Sequence, residues 1–280
     1  MRINLCGTRG STPAPGADFV RYGGHTSCLA VTPDGELAPS LLLDAGTGIR
    51  DVSGLLGARP FRGTIAVTHL HWDHVQGLPF FRAGDRDDAA VSLLLPAPEG
   101  GTDAEAALER SMSPPSFPIT PWQLRGHWEF SGLEPGEVRL GPLTLLARQI
   151  PHKGGTTFGY RVSDGRAVLA YVTDHCPTRL GPGPDGLGAY HEAAVELARG
   201  ADLLIHDAQL TAEEVPAEAA FGHAAAEYAA GLAARAGARR LALFHHKPSR
   251  TDDQLDAIGR RFAAGPVPVL VAAEGLSVEL

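Results

Sequence analysis

Thr68-His69-Leu70-His71-Trp72-Asp73-His74 puts three imidazoles and one carboxylate within six positions, directly behind the apolar run Ile65-Ala66-Val67. Such a run followed by polar residues reads as a buried strand passing out into a loop, the usual seat of functional side chains. Imidazole nitrogen and carboxylate oxygen are the ligands that a borderline Lewis acid such as Zn²⁺ prefers. In extended chain, residues i and i+2 point the same way, so His69 and His71 can face one metal ion. A turn after Trp72 would swing Asp73 and His74 towards a second. The competing reading is a solvated loop that happens to be rich in histidine. The tight spacing behind a buried strand argues against it, and the segment reads as a metal site.

Around this segment the chain has the composition of an ordinary globular protein. It has 280 residues, 44% of them hydrophobic and 20% charged, enough to bury a sizeable core. A formal net charge of -8 disfavours a broad footprint for duplex nucleic acid, though not a local basic patch. Three cysteines, Cys6, Cys28 and Cys176, form an odd set without framework spacing, which suits a reducing compartment. Arg2-Ile3-Asn4-Leu5 is not the start of a targeting segment, and no run approaches the ~20 apolar residues needed to cross a bilayer. A cytoplasmic protein with no membrane partner is expected.

The remaining elements alternate between strand and helix. Strands are expected at Arg2 to Cys6, Ser27 to Val31, Leu41 to Leu43 and Val91 to Leu95, with a helix over Ile49 to Leu56 after the turn Asp44-Ala45-Gly46-Thr47-Gly48. Residues 96–141 are rich in proline and aromatics and read as loops and short elements. They form either a lid over a cleft or an excursion with its aromatics pinned to the core. Phe158 to Val162 and Ala167 to Val172 form a hairpin around Ser163-Asp164-Gly165. Asp202 to Ile205 and Leu241 to Phe244 are further strands. Helices are expected over Tyr190 to Ala198, over Ala224 to Ala236 with Gly237 as its stop, and over Asp253 to Phe262. This order suits an α/β arrangement of two packed sheets with helices outside. No linker or repeat interrupts it, so residues 1–280 are expected to form a single domain.

Three further side chains sit where strands end: His152 before Gly154-Gly155, Asp174 after the hairpin, and His245 at the end of Leu241-x-Leu243-x-His245. Taken singly, each is as readily a turn residue or a hydrogen-bonded histidine. His246 competes with His245, although the strand's alternation ends on His245. His175 and His206 point away from their neighbours Asp174 and Asp207 in extended chain and carry no assignment.

The His-x-His-x-Asp-His motif after a strand, followed in order by His152, Asp174 and His245, resembles the metallo-β-lactamase-fold hydrolases along nearly the whole chain. The resemblance implies a four-layer αβ/βα sandwich of two mixed sheets with outer helices. It also implies two divalent cations, zinc foremost, with manganese or iron accepting the same ligands. His69, His71 and His152 would hold one, Asp73, His74 and His245 the other, and Asp174 would be shared. Asp44 would buttress the metal loops, unless it only caps the next turn.

Within the family, Gly7-Thr8-x-Gly10-Ser11-x-Pro13 resembles the opening of the ribonuclease Z-like and phosphodiesterase branch. His206-Asp207-Ala208 resembles its His-Glu-Ala, and Gly222-His223 the start of its Gly-His-Ser-Thr. Asp207 is shorter than the branch's Glu, and Ala224 replaces its hydroxyl residue. By this resemblance Asp73 orients the attacking water, and His223 backed by Asp207 serves the leaving oxygen. Ribonuclease Z itself carries a long tRNA-binding arm between its second histidine motif and its bridging Asp. His152 and Asp174 are only 22 positions apart here, so no arm fits. A small anionic substrate is therefore expected, a phosphodiester such as a cyclic nucleotide, with structured nucleic acid disfavoured and a homodimer left open.

Lys153 and Lys247, the only lysines beside 22 arginines, each follow a candidate ligand stretch and are candidates to contact phosphate. The alternatives are hydrolysis of a thioester, lactone or lactam on the same site, a non-catalytic metal-binding or sensor protein, and, disfavoured by His71 and by chain length, an oxygen-reducing di-iron protein.

Overall fold

A computed structural model describes residues 1–97 and 104–280. In chain order the elements begin with β1 (Arg2–Gly7), β2 (Cys28–Thr32), β3 (Leu41–Leu43), α1 (Ile49–Leu56), β4 (Arg62–Ala66), α2 (Trp72–Val75) and β5 (Ala90–Pro96). Next come α3 (Ala104–Glu109), β6 (His127–Leu133), β7 (Gly136–Leu140), β8 (Leu143–Gln149), β9 (Phe158–Ser163), β10 (Val168–Val172) and α4 (Glu192–Ala198). The chain closes with β11 (Leu203–Asp207), α5 (Val215–Glu218), α6 (Ala226–Ala236), β12 (Leu241–Phe244), α7 (Asp252–Arg261), β13 (Val269–Val271) and β14 (Ser277–Glu279).

The strands form two seven-stranded sheets, ordered β14-β1-β2-β3-β4-β5-β6 and β13-β12-β11-β10-β9-β8-β7. Period-two alternation explains how they stack. Leu41, Leu43, Leu203, Ile205, Leu169 and Tyr171 enter the layer between the sheets. Their neighbours Leu42, Leu204 and Ala170 face outward, where Leu42 meets Ile49, Val52 and Leu56 of α1, and Leu204 and Ala170 meet α4 and α6. The result is helix, sheet, sheet, helix, as expected.

Local chemistry sets the helix limits. Gly237 ends α6 in the left-handed conformation at φ 67°. Thr251 caps α7 in a reciprocal box, its Oγ1 accepting the Gln254 N–H and Gln254 Oε1 accepting the Thr251 N–H.

Residues 96–141, expected as loops and short elements, include two strands that the sequence did not mark. β6 and β7 are there, each at the edge of its sheet. Both alternate between half-buried and exposed positions, so neither presents a continuous apolar run. The aromatics of this stretch pack on the first sheet's side: Trp122 against Phe130, Phe117 against Phe80, and Trp128 Nε1 on the Gly84 carbonyl. Part of the expected lid, residues 98–103, lies outside the described residues. The short helix α5 and the 3-10 turn Ala219–Phe221 after it were not anticipated. Among the described residues, no helix is long and apolar enough to cross a membrane. Cys6, Cys28 and Cys176 are all free and buried.

β3 and β4 run parallel, as do β10, β11 and β12, so their carboxyl ends lie on one rim of the sandwich. That rim is where ligand sites of open parallel sheets form. Bonds that link the sheets beside it include Phe158 N–H to the Thr68 carbonyl (2.9 Å) and the Tyr160 hydroxyl to the Val67 carbonyl (2.6 Å).

Candidate metal centre

The loop after β4 is anchored before it turns. Thr68 gives both its N–H (2.7 Å) and its hydroxyl (2.9 Å) to Asp44 Oδ1. His71 then caps the single turn of α2, which carries Asp73 and His74 back over the strand ends and leaves Trp72 exposed. Asp73 Oδ2 accepts the Ser11 N–H at 2.7 Å. Asp44 Oδ2 receives His74 Nδ1 at 2.9 Å and the Tyr171 hydroxyl at 2.7 Å. A carboxylate accepts only, so His74 holds its proton on Nδ1 and turns Nε2 inward. His152 is set the same way, its Nδ1–H donating to the Gly222 carbonyl at 2.8 Å.

Two groups of side chains converge: His69, His71, His152 and Asp174, and then Asp73, His74, His245 and again Asp174. Within each group the ligand atoms all lie within 4.8 Å of one another. Asp174 Oδ2 is 3.6 Å from His69 Nε2 and 3.5 Å from His152 Nε2. Its Oδ1 is 3.0 Å from both His74 Nε2 and His245 Nε2. Asp73 Oδ2 is 3.2 Å from the same two nitrogens. Ligand atoms around a tetrahedral cation at about 2.0–2.1 Å would stand about 3.3 Å apart, close to the spacing found. His69 Nε2 and His74 Nε2 are buried without a hydrogen-bond partner. Orphaned imidazole nitrogens aimed at buried carboxylates are the donor set a divalent cation needs. His246 turns elsewhere, Nε2 on the Ala272 carbonyl at 2.7 Å.

Backbone strain gathers at the same place. Among the described residues the non-glycine positions with positive φ are Ser11 (61°), Asp44 (62°), Asp174 (51°) and His245 (59°). Left-handed backbone is disfavoured for residues with a Cβ and persists where surroundings over-determine it. Each of these residues belongs to the two groups or bonds directly to them. Gly10 shows why the first loop needs glycine, since a Cβ there would stand 2.4 Å from the His245 ring.

The electrostatics divide the cluster. Burial lowers the pKa of His69 and His71 and brings His152 down to about 4, so these rings are neutral donors. Burial also opposes charge on His74 and His245, but their carboxylate neighbours prevail. His74 is raised well above its ordinary value by Asp73, Asp174 and Asp44, and His245 is raised to about 10 by Asp174 and Asp73. Asp73 and Asp174 are carried far below the carboxylate range, against burial, by these same rings. The buried carboxylates thus favour positive charge at His74 and His245, where a cation would stand.

Asp207 ends β11 with Oδ2 3.1 Å from His223 Nδ1. Its oxygens also accept N–H bonds from His175 (3.1 Å), Ala224 (3.2 Å) and Gln209 (3.0 Å). The His223 ring lies 5.1 Å from that of His245, beside the second group. His175 and His206, which carried no assignment, pair with each other at 3.0 Å behind Asp207. Sequence reasoning missed Gln209, whose Nε2 stands 3.2 Å from both His245 Nδ1 and Ser11 Oγ. The signal was its place two residues beyond Asp207 at a strand end. It also missed the supporting roles of Thr68, Tyr171 and the Ser11 amide, which depend on partners distant in sequence.

The expectation for Lys247 fails. Its ammonium is bound by Glu218 (2.6 and 2.7 Å) and Glu214 (3.2 Å), which occupy the charge that a phosphate would need. Lys153 Nζ donates to the Ala220 carbonyl at 3.0 Å.

Two cavities open beside the cluster. One of about 230 Å³ is lined by His69, Leu70, Arg110 and Gly154, the other of about 540 Å³ by His152, Gly155 and Arg179. A third, of about 1230 Å³, lies between α1 and residues 79–86 and includes none of the converging side chains.

A sequence profile of the beta-lactamase superfamily domain matches residues 40–246. Ribonuclease Z of Limosilactobacillus fermentum is 30% identical, the match covering 88% of this chain and 87% of that protein. Among solved structures, the metallo-beta-lactamase fold protein YhfI from Bacillus subtilis superposes with a TM-score of 0.71 at 18% identity, over 99% of both chains. A diphosphatase from the PhnP family superposes with a TM-score of 0.68 at 20% identity, over 100% of this chain and 97% of that one.

Proposed function

The chain belongs to the beta-lactamase superfamily, as a hydrolase of its ribonuclease Z-like branch, and on that premise we propose that it cleaves a small phosphodiester at a pair of divalent cations, zinc foremost. The observation that carries the reading is Asp174, which turns one oxygen to each group of imidazoles. His69, His71 and His152 would hold one ion, Asp73, His74 and His245 the other, with Asp174 between. Divalent cations supply Lewis acidity there, neutralising phosphoryl charge and making a nucleophile available at neutral pH.

The protein's own groups do the rest. Asp73, held by the Ser11 amide, keeps a free oxygen to orient the attacking water. Asp207 fixes the His223 ring through Nδ1, so Nε2 is left to donate to the leaving oxygen. Asp207 accepts three backbone N–H groups besides His223, and burial opposed by the His223 and His245 rings leaves it below its ordinary pKa, an anion that holds its partner.

A small substrate is favoured because only the β9–β10 hairpin separates His152 from Asp174, leaving no arm to grip a folded RNA. The relative named ribonuclease Z favours RNA as a second reading. Purified protein assayed on bis-p-nitrophenyl phosphate, cyclic nucleotides, a tRNA precursor, acyl esters and a lactam separates the possibilities. Turnover of the small phosphodiesters is expected, abolished by chelation and lowered about 10²–10⁴-fold by His223→Ala. Turnover of RNA alone, of acyl substrates alone, or of nothing would overturn the proposal.

A further inference from the structure

The only two lysines both bind one short segment, and we infer that they are positioning residues for His223. The inference rests on the role proposed for His223. The segment is α5 with the 3-10 turn Ala219–Phe221, and it leads directly into Gly222 and His223. Lys247, two residues beyond His245, donates to both oxygens of Glu218 and to one of Glu214, at 2.6, 2.7 and 3.2 Å. Arg250 completes that side, its Nη2 on Glu214 Oε2 at 2.5 Å. Lys153, next to His152, donates to the Ala220 carbonyl and lies over the Phe221 ring, 5.4 Å from its centroid.

Both ends of the segment matter to the site. Gly222, left-handed at φ 96°, offers its carbonyl to His152 Nδ1 and packs against both His152 and Lys153. The next residue is His223. A shift of the segment would therefore move a candidate metal ligand and a candidate proton donor together.

The residue type fits the task. A chain that uses arginine at 22 positions has lysine where one compact ammonium must meet two carboxylates, and where a short reach to a carbonyl across an aromatic face is needed. The segment has little structure of its own to hold it, since its helix is a single turn and Phe221 is exposed.

Lys247→Met, Lys153→Met, Glu218→Gln and the double variant Lys247→Met/Glu218→Gln test the clasp. With a phosphodiester substrate, kcat is expected to fall about 10- to 100-fold in Lys247→Met and Lys153→Met with KM within about twofold, as for a misplaced catalytic group. Glu218→Gln should reproduce Lys247→Met, the double variant should be no worse than either single, and Lys247→Arg, which keeps the charge but not the compact ammonium, should fall between wild type and Lys247→Met. Hydrogen exchange on the metal-free proteins supplies a readout independent of catalysis. Amide protection should drop at Ala219 to His223 in the methionine variants and stay unchanged in β10 and β12. Unchanged exchange there, or additive losses in the double variant, would overturn the inference. If the wild-type chain turned over no phosphodiester, the proposed function would fail while the exchange experiment still decided the clasp.

Discussion

Asp44 never faces the space between the two ligand groups, yet it determines how His74 does. Its two oxygens accept from the Thr68 amide and hydroxyl, from His74 Nδ1 and from the Tyr171 hydroxyl, all in full burial. Every one of those partners is a donor. An asparagine would offer one oxygen and turn an NH₂ on the others, leaving donors face to face. Asp44→Asn should therefore weaken metal binding about 10- to 100-fold, the usual effect of removing such a support, while the fold persists. Titration of the apo-protein with zinc against a competing chelator checks it, and an affinity equal to the wild type's would contradict it. At this scale the sequence was generous with ligands and, beyond Asp44 and Asp207, silent about their supports. Histidines and aspartates at strand ends are rare enough to notice. Thr68, Tyr171 and Gln209 acquire their roles only from chain segments far away in sequence, and a threonine or tyrosine in a strand has an ordinary reason to be there.

Among elements, the turn before β14 is bound to the loop before β2 through Glu274, whose carboxylate accepts the His25 N–H while Gly23 leaves room for it. Burial, with Asp51 adding repulsion, raises Glu274 from its ordinary 4.5 to about 7, against the pull of the His25 amide and Arg9. A carboxyl raised on folding favours the native state when protonated. Its contribution is whole below about pH 4.5 and is lost as the pH climbs through about 7. Glu274→Gln keeps an acceptor for His25 and removes the titration. Its melting temperature relative to wild type should rise by a few degrees between about pH 5 and about pH 8. A difference that does not change with pH would refute this. Most elements could be read from period and punctuation, down to Gly237 as the stop of α6. β6 and β7 could not, because an edge strand buries one face only partly and their surroundings are rich in proline. α5 is one turn, too short for any period to show.

At the scale of the molecule, parallel strands from two sheets bring their carboxyl ends to one rim, and the chain's acidic balance is locally answered by a concentration of imidazole. Six strand ends contribute: β3 with Asp44, β4 with the histidine loop, β8 with His152, β10 with Asp174, β11 with Asp207 and β12 with His245. The order of those residues along the chain was readable. That Asp174 is shared between the two groups was expected as well; the left-handed backbone with which it turns one oxygen to each side was not. The claim on which the rest depends is that this rim is a two-ion centre. Crystals grown with zinc, measured on both sides of the zinc absorption edge, address it directly. Two anomalous peaks are expected on either side of Asp174, one among His69, His71 and His152 and the other among Asp73, His74 and His245. A single peak, or zinc bound elsewhere with these side chains still hydrogen-bonded to one another, would contradict it.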